Sequence, residues 1–307
     1  MHNEIKGLKI SKITNFGIQR KIVANMTTES WEAIPHAVYT YRPDVTDFIG
    51  EYSLLNKEEK ITINTLMLKA IVEGIKQAPQ INGHIKYQNR LVRGKVNQIE
   101  DINISMPWIL PTGQMMTINL RNFENKSLVE MTEYIQDVSK RIENTNLDEV
   151  MFEVSLDNTI SALKNGKIIT TFSRLIGSKT GKNKVKTLSG KEKTKYYNIP
   201  QEQRLTKLDI EQGTITITNI GAIYKEQRGE LALLEIIPPQ LVAIGLGAVQ
   251  EQPGVFVDKN GDKQIGIRKI MPITIAFDHR ALDFGDIVPF IKKLDEVFEN
   301  PKQIHSW

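Results

Sequence analysis

Three short apolar segments constrain the fold of this chain more than any other feature of its sequence. They are GTITITN, QLVAIGLG and IRKIMPITIAFD, at residues 213–219, 240–247 and 267–278. Each segment is rich in β-branched residues, which indicates β-strands. Their nearly continuous apolar character indicates strands that are covered on both faces of a sheet.

Amphipathic segments alternate with these strands. The clearest is 127–142, where Ser127 and Glu130 have the spacing of a capping box and apolar residues recur every three or four positions. Three further helices are predicted, at 65–78, about 148–164 and about 286–298. The order of helices and strands predicts a single α/β domain.

The sequence becomes polar, lysine-rich and poorly periodic within about 147–205, which we interpret as a long insertion in that domain. Residues 178–195 hold seven lysines and one glutamate, although the whole chain carries a net charge of only +4. Such a run is commonly a solvated surface. The alternative is a docking site for phosphates or an acidic partner, involving Lys182, Lys184 and Lys186. A nucleic acid is disfavoured because aromatic residues are not interleaved with the lysines.

The chain contains no cysteine, which excludes a disulfide scaffold, a thiolate metal site and a nucleophilic thiol of its own. No apolar run approaches the ~20 residues that span a bilayer. Residues 1–17 lack the continuous apolar core of a secretion signal. We therefore expect a cytoplasmic protein without a membrane partner.

His279 is the leading candidate for a catalytic residue. It lies at the end of an apolar strand, within Phe277-Asp-His-Arg-Ala-Leu-Asp283. Side chains leave the core at strand ends, and imidazole is the natural acid or base at neutral pH. Asp283, four residues later, could hold the local turn. The spacing alone does not distinguish a catalytic pair from a structural one.

The threonines at 214, 216 and 218 form a second candidate cluster. Strand alternation places all three hydroxyls on one face of the sheet. One interpretation is an ordinary polar face. The other is that Thr218, at the strand end, donates a hydrogen bond to a developing oxyanion.

Several stretches resemble, in chain order, the catalytic domain of the dihydrolipoyl acyltransferases of 2-oxoacid dehydrogenase complexes and, more distantly, chloramphenicol acetyltransferase. They are residues 20–36, 78–82, 102–104, 111–113, 213–221, 238–247 and 277–283. The resemblance spans about residues 20–300 apart from the insertion. It implies a CoA-dependent acyltransferase fold, which is a two-layer sandwich of a mixed sheet and helices. It also implies a homotrimer with active sites between its subunits.

The resemblance implies a role for each candidate residue. His279 matches the histidine that deprotonates the thiol of CoA or dihydrolipoamide, so that the thiolate can attack an acyl thioester. Thr218 matches the donor to the tetrahedral oxyanion, and Asp283 matches an aspartate that positions the site. Residues expected to bind substrate are Arg280, Asn219 and Gly221. Coenzyme A or acyl-CoA is then a substrate, no metal is expected, and any lipoyl group belongs to a separate carrier protein.

The chain also departs from the family's pattern. Phe284 stands where the family has glycine, which predicts altered local geometry because glycine allows backbone conformations that phenylalanine resists. Ile109 and Leu110 replace an Asp-Thr pair, which makes that surface more apolar. We expect one catalytic domain over 1–307 with an N-terminal arm at 1–18, and neither a lipoyl nor a subunit-binding domain.

These departures leave two alternative functions open. One is a catalytically silent homologue that keeps the trimer and binds a partner. The other is an acyltransferase for a small amine or alcohol, since the same histidine can activate a hydroxyl. The segment 302–307 contains only Ile304 and Trp307 as apolar residues, so we expect the trimer not to assemble further into a large shell.

Overall fold

A computed structural model describes residues 4–5, 8–110, 115–164, 187–258 and 260–307. The helices are α1 (Ile18–Ala33), α2 (Thr46–Glu58), α3 (Ile63–Gln77), α4 (Leu128–Glu143), α5 (Leu147–Lys164), α6 (Gly190–Tyr197) and α7 (Phe284–Glu299). The strands are β1 (Glu4–Ile5), β2 (Leu8–Lys9), β3 (His36–Tyr41), β4 (Gly83–Gln88), β5 (Arg93–Gln98), β6 (Ile104–Ile109), β7 (Met115–Leu120), β8 (Ile215–Asn219), β9 (Val242–Leu246), β10 (Gln250–Val257), β11 (Lys263–Ile270) and β12 (Ile273–Asp278). Within this part of the chain, no helix is both long and apolar enough to cross a bilayer.

Six strands form a mixed sheet in the order β3-β12-β9-β8-β6-β7. Strand β8 is parallel to both of its neighbours, β6 and β9, and the remaining pairs are antiparallel. Three two-stranded hairpins, β1–β2, β4–β5 and β10–β11, lie outside this sheet. The predicted α/β architecture with a mixed sheet is therefore confirmed.

Both faces of the central strands are covered, as the apolar segments predicted. On one face, the side chains of Val242 and Ile244 join the main core, which includes the apolar side of α3 and α7. On the other face, Ala243 and Ala276 pack with Leu234 in a second, smaller cluster. The small residues on this second face let an irregular segment lie directly on the sheet.

One predicted strand is in fact two. The segment 267–278 was expected to be continuous, but β11 ends at Ile270 and β12 begins at Ile273. Proline has no backbone N–H to donate to a ladder, so Pro272 breaks the strand. Its carbonyl instead accepts a hydrogen bond from the N–H of Gly247, at 2.8 Å. The break separates the β10–β11 hairpin from the central sheet.

The predicted helices are present with small shifts of their ends. The capping box before α4 is complete, with the Ser127 N–H donating to Glu130 at 2.8 Å and the Glu130 N–H donating to the Ser127 hydroxyl at 3.2 Å. The sequence did not predict α6, which lies within the lysine-rich stretch. Buried Glu149 of α5 connects the two helices, because it accepts from Tyr197 at 3.1 Å and pairs with Lys193 at 3.1 Å.

Gly74 of α3 allows the close packing of α3 against α7. A Cβ at this position would lie 2.7 Å from Cδ2 of Phe290, whose fully buried ring has no room to move. We expect Gly74→Ala to destabilise the fold by about 1–3 kcal/mol, the usual cost of overpacking. Gly50→Ala is the matched control, because it is also in a helix and a Cβ there meets nothing within 4 Å. Thermal unfolding should show a lower Tm for Gly74→Ala alone, and equal Tm values would contradict this prediction.

Candidate active site

Asp278, the last residue of β12, organises the turn that carries His279. Its carboxylate is fully buried and forms a bidentate pair with the Arg280 guanidinium, at 2.9 Å to Nε and 2.6 Å to Nη2. It also accepts a hydrogen bond from the Arg280 backbone N–H at 3.0 Å. The Asp278 carbonyl accepts from the N–H groups of Ala281 and Leu282 at 3.0 and 3.1 Å. No role for Asp278 was predicted from the sequence, although a carboxylate that ends an apolar strand beside a histidine indicates one.

His279 is held in one tautomer. Its Nδ1 lies 3.0 Å from the Leu282 carbonyl oxygen and 3.4 Å from a carboxylate oxygen of Asp283. A carbonyl can only accept, so Nδ1 carries the proton in this hydrogen bond and the neutral ring keeps its lone pair on Nε2. The side chain is 54% exposed. In the neutral ring, Nε2 is therefore the nitrogen that can accept a proton, and it lies at the end of the sheet.

Asp283 and Phe284 form the junction between this turn and α7. The Asp283 N–H donates to the Asp286 carboxylate at 2.8 Å, and its own side chain is largely exposed. Phe284 is the first residue of α7, and its ring lies 4.9 Å from that of Tyr39. The non-glycine residues with positive φ in the described chain are Val92 and Asn122. Phe284 therefore does not adopt the left-handed conformation that favours glycine, and a difference from the family's local geometry stays a prediction.

Two of the three candidate threonines are engaged in structural hydrogen bonds. The Thr214 hydroxyl accepts from the Asn103 N–H at 3.0 Å, and the Thr216 hydroxyl donates to the fully buried side chain of Gln240 at 2.6 Å. The half-buried Thr218 hydroxyl makes no hydrogen bond within the described residues. Thr218 is thus the one of the three that is free to bind something else.

Within one chain, His279 and Thr218 lie at opposite ends of the sheet. Thr218 pairs with Gly245 of β9, and Gly245 pairs with Thr274 near the start of β12. His279 follows the other end of β12, five residues beyond Thr274. At the usual rise per residue this is about 16 Å along the strand, before the width of the two intervening strand spacings is added. A single chain does not bring the two candidate residues together.

The remaining residues predicted to bind substrate have partners in their own chain. Arg280, besides its pairing with Asp278, lies over the ring of Tyr87 at 5.4 Å from its centre. Asn219 donates to the side chain of Asn64 at 3.0 Å and accepts from a backbone N–H at 2.9 Å. Gly221 approaches the backbone so closely that a Cβ would lie 2.6 Å from the Gly247 carbonyl oxygen. These contacts show structural roles, and substrate binding by the three residues stays a prediction.

His36 faces Asp278 across the β3–β12 pair but has a structural role. Its Nδ1 lies 2.8 Å from the Ile34 carbonyl, and its Nε2 accepts from the Ile236 N–H at 3.1 Å. Both ring nitrogens of His36 are therefore engaged, whereas His279 has a hydrogen bond only at Nδ1 within the described residues. No cluster of three His, Cys, Asp or Glu side chains that could hold a metal occurs in the described residues.

The apolar pair Ile109 and Leu110 lies at the C-terminal end of β6. Ile109 is exposed at the end of β6, as an apolar surface there predicts, while Leu110 is buried. The turn at 111–113 lies outside the described residues. So do the candidate anion-docking residues Lys182, Lys184 and Lys186.

Comparison with known proteins supports the fold and the family. The chain matches the family described as 2-oxoacid dehydrogenases acyltransferase (catalytic domain) over residues 9–161 and 184–306. The unmatched residues 162–183 lie inside the segment that we interpret as an insertion. Among solved structures, the probable dihydrolipoamide acetyltransferase of Listeria monocytogenes superposes with a TM-score of 0.63 at 18% identity, covering 94% of this chain and 95% of that one. The cubic core of a pyruvate dehydrogenase multienzyme complex gives 0.62 at 16% identity, covering 97% and 96%.

Curated relatives extend beyond the region that they share with this chain. The mitochondrial dihydrolipoyllysine-residue acetyltransferase component of the pyruvate dehydrogenase complex of Schizosaccharomyces pombe is 24% identical over 93% of this chain, which spans 45% of that protein. The corresponding component of Mycoplasma genitalium is 24% identical over 91% of this chain and 56% of its own length. The chain thus spans about half the length of these relatives. Since the family match covers nearly all of it, this chain belongs to the 2-oxoacid dehydrogenase acyltransferase catalytic domain family.

Proposed function

We propose that this chain is an acyltransferase that moves an acyl group between CoA and a thiol such as dihydrolipoamide. The proposal depends on the geometry of His279. Its Nδ1 is hydrogen-bonded to a backbone carbonyl, whereas Nε2 of the half-exposed ring has no hydrogen bond within the described residues. An imidazole in this state can accept the proton of a bound thiol. Family membership and the names of the relatives supply the substrate class.

The reaction needs no nucleophile from the protein. The thiol proton passes to Nε2 of His279, and the thiolate forms a new C–S bond at the carbonyl of the acyl thioester. The tetrahedral intermediate then collapses, breaking the original C–S bond, and the departing sulfur takes the proton from Nε2. A hydrogen bond from Thr218 to the transient oxyanion would strengthen as its charge develops. Coenzyme A is one thiol substrate in this scheme, and the dihydrolipoyl group is the other.

The sheet geometry supports an active site that is shared between copies of the chain. Since His279 and Thr218 of one chain lie at opposite ends of the sheet, a histidine can meet a threonine only if a second copy supplies it. We infer a homotrimer, in which each copy gives His279 to one site and Thr218 to the next. This assignment agrees with the free hydroxyl of Thr218.

The β10–β11 hairpin offers a surface for this association. Direct pairing of Val255 with Ile265 and of Pro253 with Ile267 places these apolar side chains on one face. Val255, Ile265 and Ile267 are 66%, 81% and 76% exposed. A contiguous apolar face of this kind marks an interaction site. We assign it to the contact between copies.

We expect His279→Ala to lower turnover by about 10²–10⁴, the range for loss of a positioned general base. The assay is acetyl exchange between acetyl-CoA and free dihydrolipoamide, with circular dichroism to verify the fold. His305→Ala is the matched control. His305, in segment 302–307, pairs with Glu51 of α2 and has no role in the site. A folded His279→Ala protein with near-normal exchange would refute the assignment. If the unaltered chain acetylates an amine or alcohol instead of the thiol, the acceptor is wrong, and if it acetylates neither, the silent alternative is favoured.

We expect Thr218→Val to lower kcat by about 10²–10³ with little change in KM, because the lost hydrogen bond matters mainly in the transition state. Thr218→Ser should be mild. Mixing His279→Ala chains with Thr218→Val chains under conditions of subunit exchange should restore part of the activity, since some sites then contain both intact residues. A chain carrying both substitutions, mixed with itself, should stay inactive. Mixed oligomers without recovered activity would contradict the shared site.

Light scattering should give about 105 kDa, three times the chain mass of 34.9 kDa. The replacement of Val255 and Ile265 together by lysine should shift the mass to that of one chain, because burying two ammonium groups in the apolar contact between copies is costly. We do not expect a megadalton particle. Ile304, one of the two apolar residues of segment 302–307, is buried in its own chain. A large particle, or an active monomer, would contradict the proposed assembly.

A further inference from the structure

The β4–β5 hairpin, residues 83–98, carries a concentration of unpaired positive charge. Lys86, Arg90, Arg93 and Lys95 are all exposed, and none of them pairs with a carboxylate within the described residues. Residues 82–99 contain no aspartate or glutamate. The hairpin is therefore a basic surface that the chain itself does not neutralise.

The strand register places like charges directly opposite each other. Lys86 pairs with Lys95, and the next pair on the same face is Gln88 with Arg93. Like charges in direct cross-strand pairs destabilise a hairpin. An anionic partner lying along this face would relieve the repulsion.

The tip of the hairpin exposes two apolar side chains, and one of these residues has a strained backbone conformation. Leu91 and Val92 are exposed, Val92 to 78%. Val92 has φ 48° and ψ 45°, in the left-handed region that β-branched residues avoid. Val92 is therefore a mostly exposed apolar residue in a strained conformation, and backbone strain of this kind is typical of functional positions.

The hairpin also adjoins the turn that bears His279. Tyr87 lies beneath the Arg280 guanidinium at 5.4 Å, and the Ile85 N–H donates to the Pro239 carbonyl at 2.9 Å. Since Arg280 follows His279 directly, the Tyr87 face of the hairpin packs beside the candidate active site, and the basic residues of its strands lie on the opposite face of the same hairpin.

We propose that the β4–β5 hairpin is a docking surface for a protein whose apolar patch is surrounded by acidic side chains. Arg93 lies about 7 Å along the strands from the Lys86–Lys95 pair, and Arg90 lies further towards the tip, so the positive charge is spread along the hairpin. This arrangement fits an extended protein face rather than one phosphate group. The exposed Leu91 and Val92 at the tip favour a folded partner over a simple polyanion. If the proposed acyl transfer is correct, this partner is the carrier that brings its thiol to His279.

The test is direct binding to the full chain, without turnover. The probes are a peptide of alternating glutamate and leucine, poly-L-glutamate, and polyuridylate. One variant combines Lys86→Gln, Arg90→Gln, Arg93→Gln and Lys95→Gln, and a second combines Leu91→Ser with Val92→Asn. The matched control combines Lys57→Gln, Lys60→Gln, Lys140→Gln and Lys225→Gln, four exposed lysines outside the hairpin. Thermal unfolding verifies that each variant is folded.

We expect the basic variant to bind both peptides about tenfold or more weakly, because each of four modest charge pairs is lost, and to show a flatter salt dependence. The tip variant should lose affinity for the glutamate–leucine peptide and keep its affinity for poly-L-glutamate. Unchanged peptide binding by the basic variant, or an equal loss in the control, would overturn the proposal. So would preferential binding of polyuridylate, which would indicate a nucleic-acid surface. Because no turnover is measured, a negative result here leaves the acyl-transfer proposal standing, and inactivity in acyl exchange leaves the binding result standing.

Discussion

The buried carboxylate of Asp278 is the interaction on which the candidate site depends. Burying a carboxylate without partners is costly, so the charge requires both the Arg280 guanidinium and a backbone N–H. Together with the Asp278 carbonyl, these bonds fix the turn after β12. This turn places the Leu282 carbonyl beside Nδ1 of His279, and the hydrogen bond between them selects the tautomer of the histidine. Arg280, which was expected to contact substrate, thus also holds the turn of His279 in place.

The order of the strands explains why one chain is insufficient for the proposed reaction. Strands β8 and β9 run parallel, while β12 runs antiparallel to β9. The C-terminal ends of β8 and β12 therefore point towards opposite ends of the sheet. Thr218 lies near the C-terminal end of β8, and His279 directly follows β12. Their separation is therefore a consequence of topology, and no side-chain movement can close it. The exposed apolar face of β10–β11 gives a physical reason for copies of the chain to associate.

Two of the hairpins that lie outside the central sheet, β4–β5 and β10–β11, have different surface chemistry. The β10–β11 hairpin presents valine and isoleucine, which suits a permanent contact from which water is excluded. The β4–β5 hairpin presents lysine and arginine around a small apolar tip, which suits a partner that arrives by electrostatic attraction and leaves again. The same secondary structure thus supports two kinds of interaction, distinguished by the side chains on one face.

The sequence by itself determined the helices α3, α4, α5 and α7, the strands β8, β9 and β12, and the position of His279 at a strand end, because these follow from local periodicity, capping residues and β-branched runs. It could not determine the break at Pro272 within an otherwise continuous pattern, nor the pairing of Arg280 with Asp278. It also left the three threonines equivalent, whereas the structure engages Thr214 and Thr216 and leaves Thr218 free. The separation of Thr218 from His279 was likewise decided only by the tertiary structure. It depends on strand order and register, and these are fixed by contacts between residues far apart in the chain rather than by any local pattern.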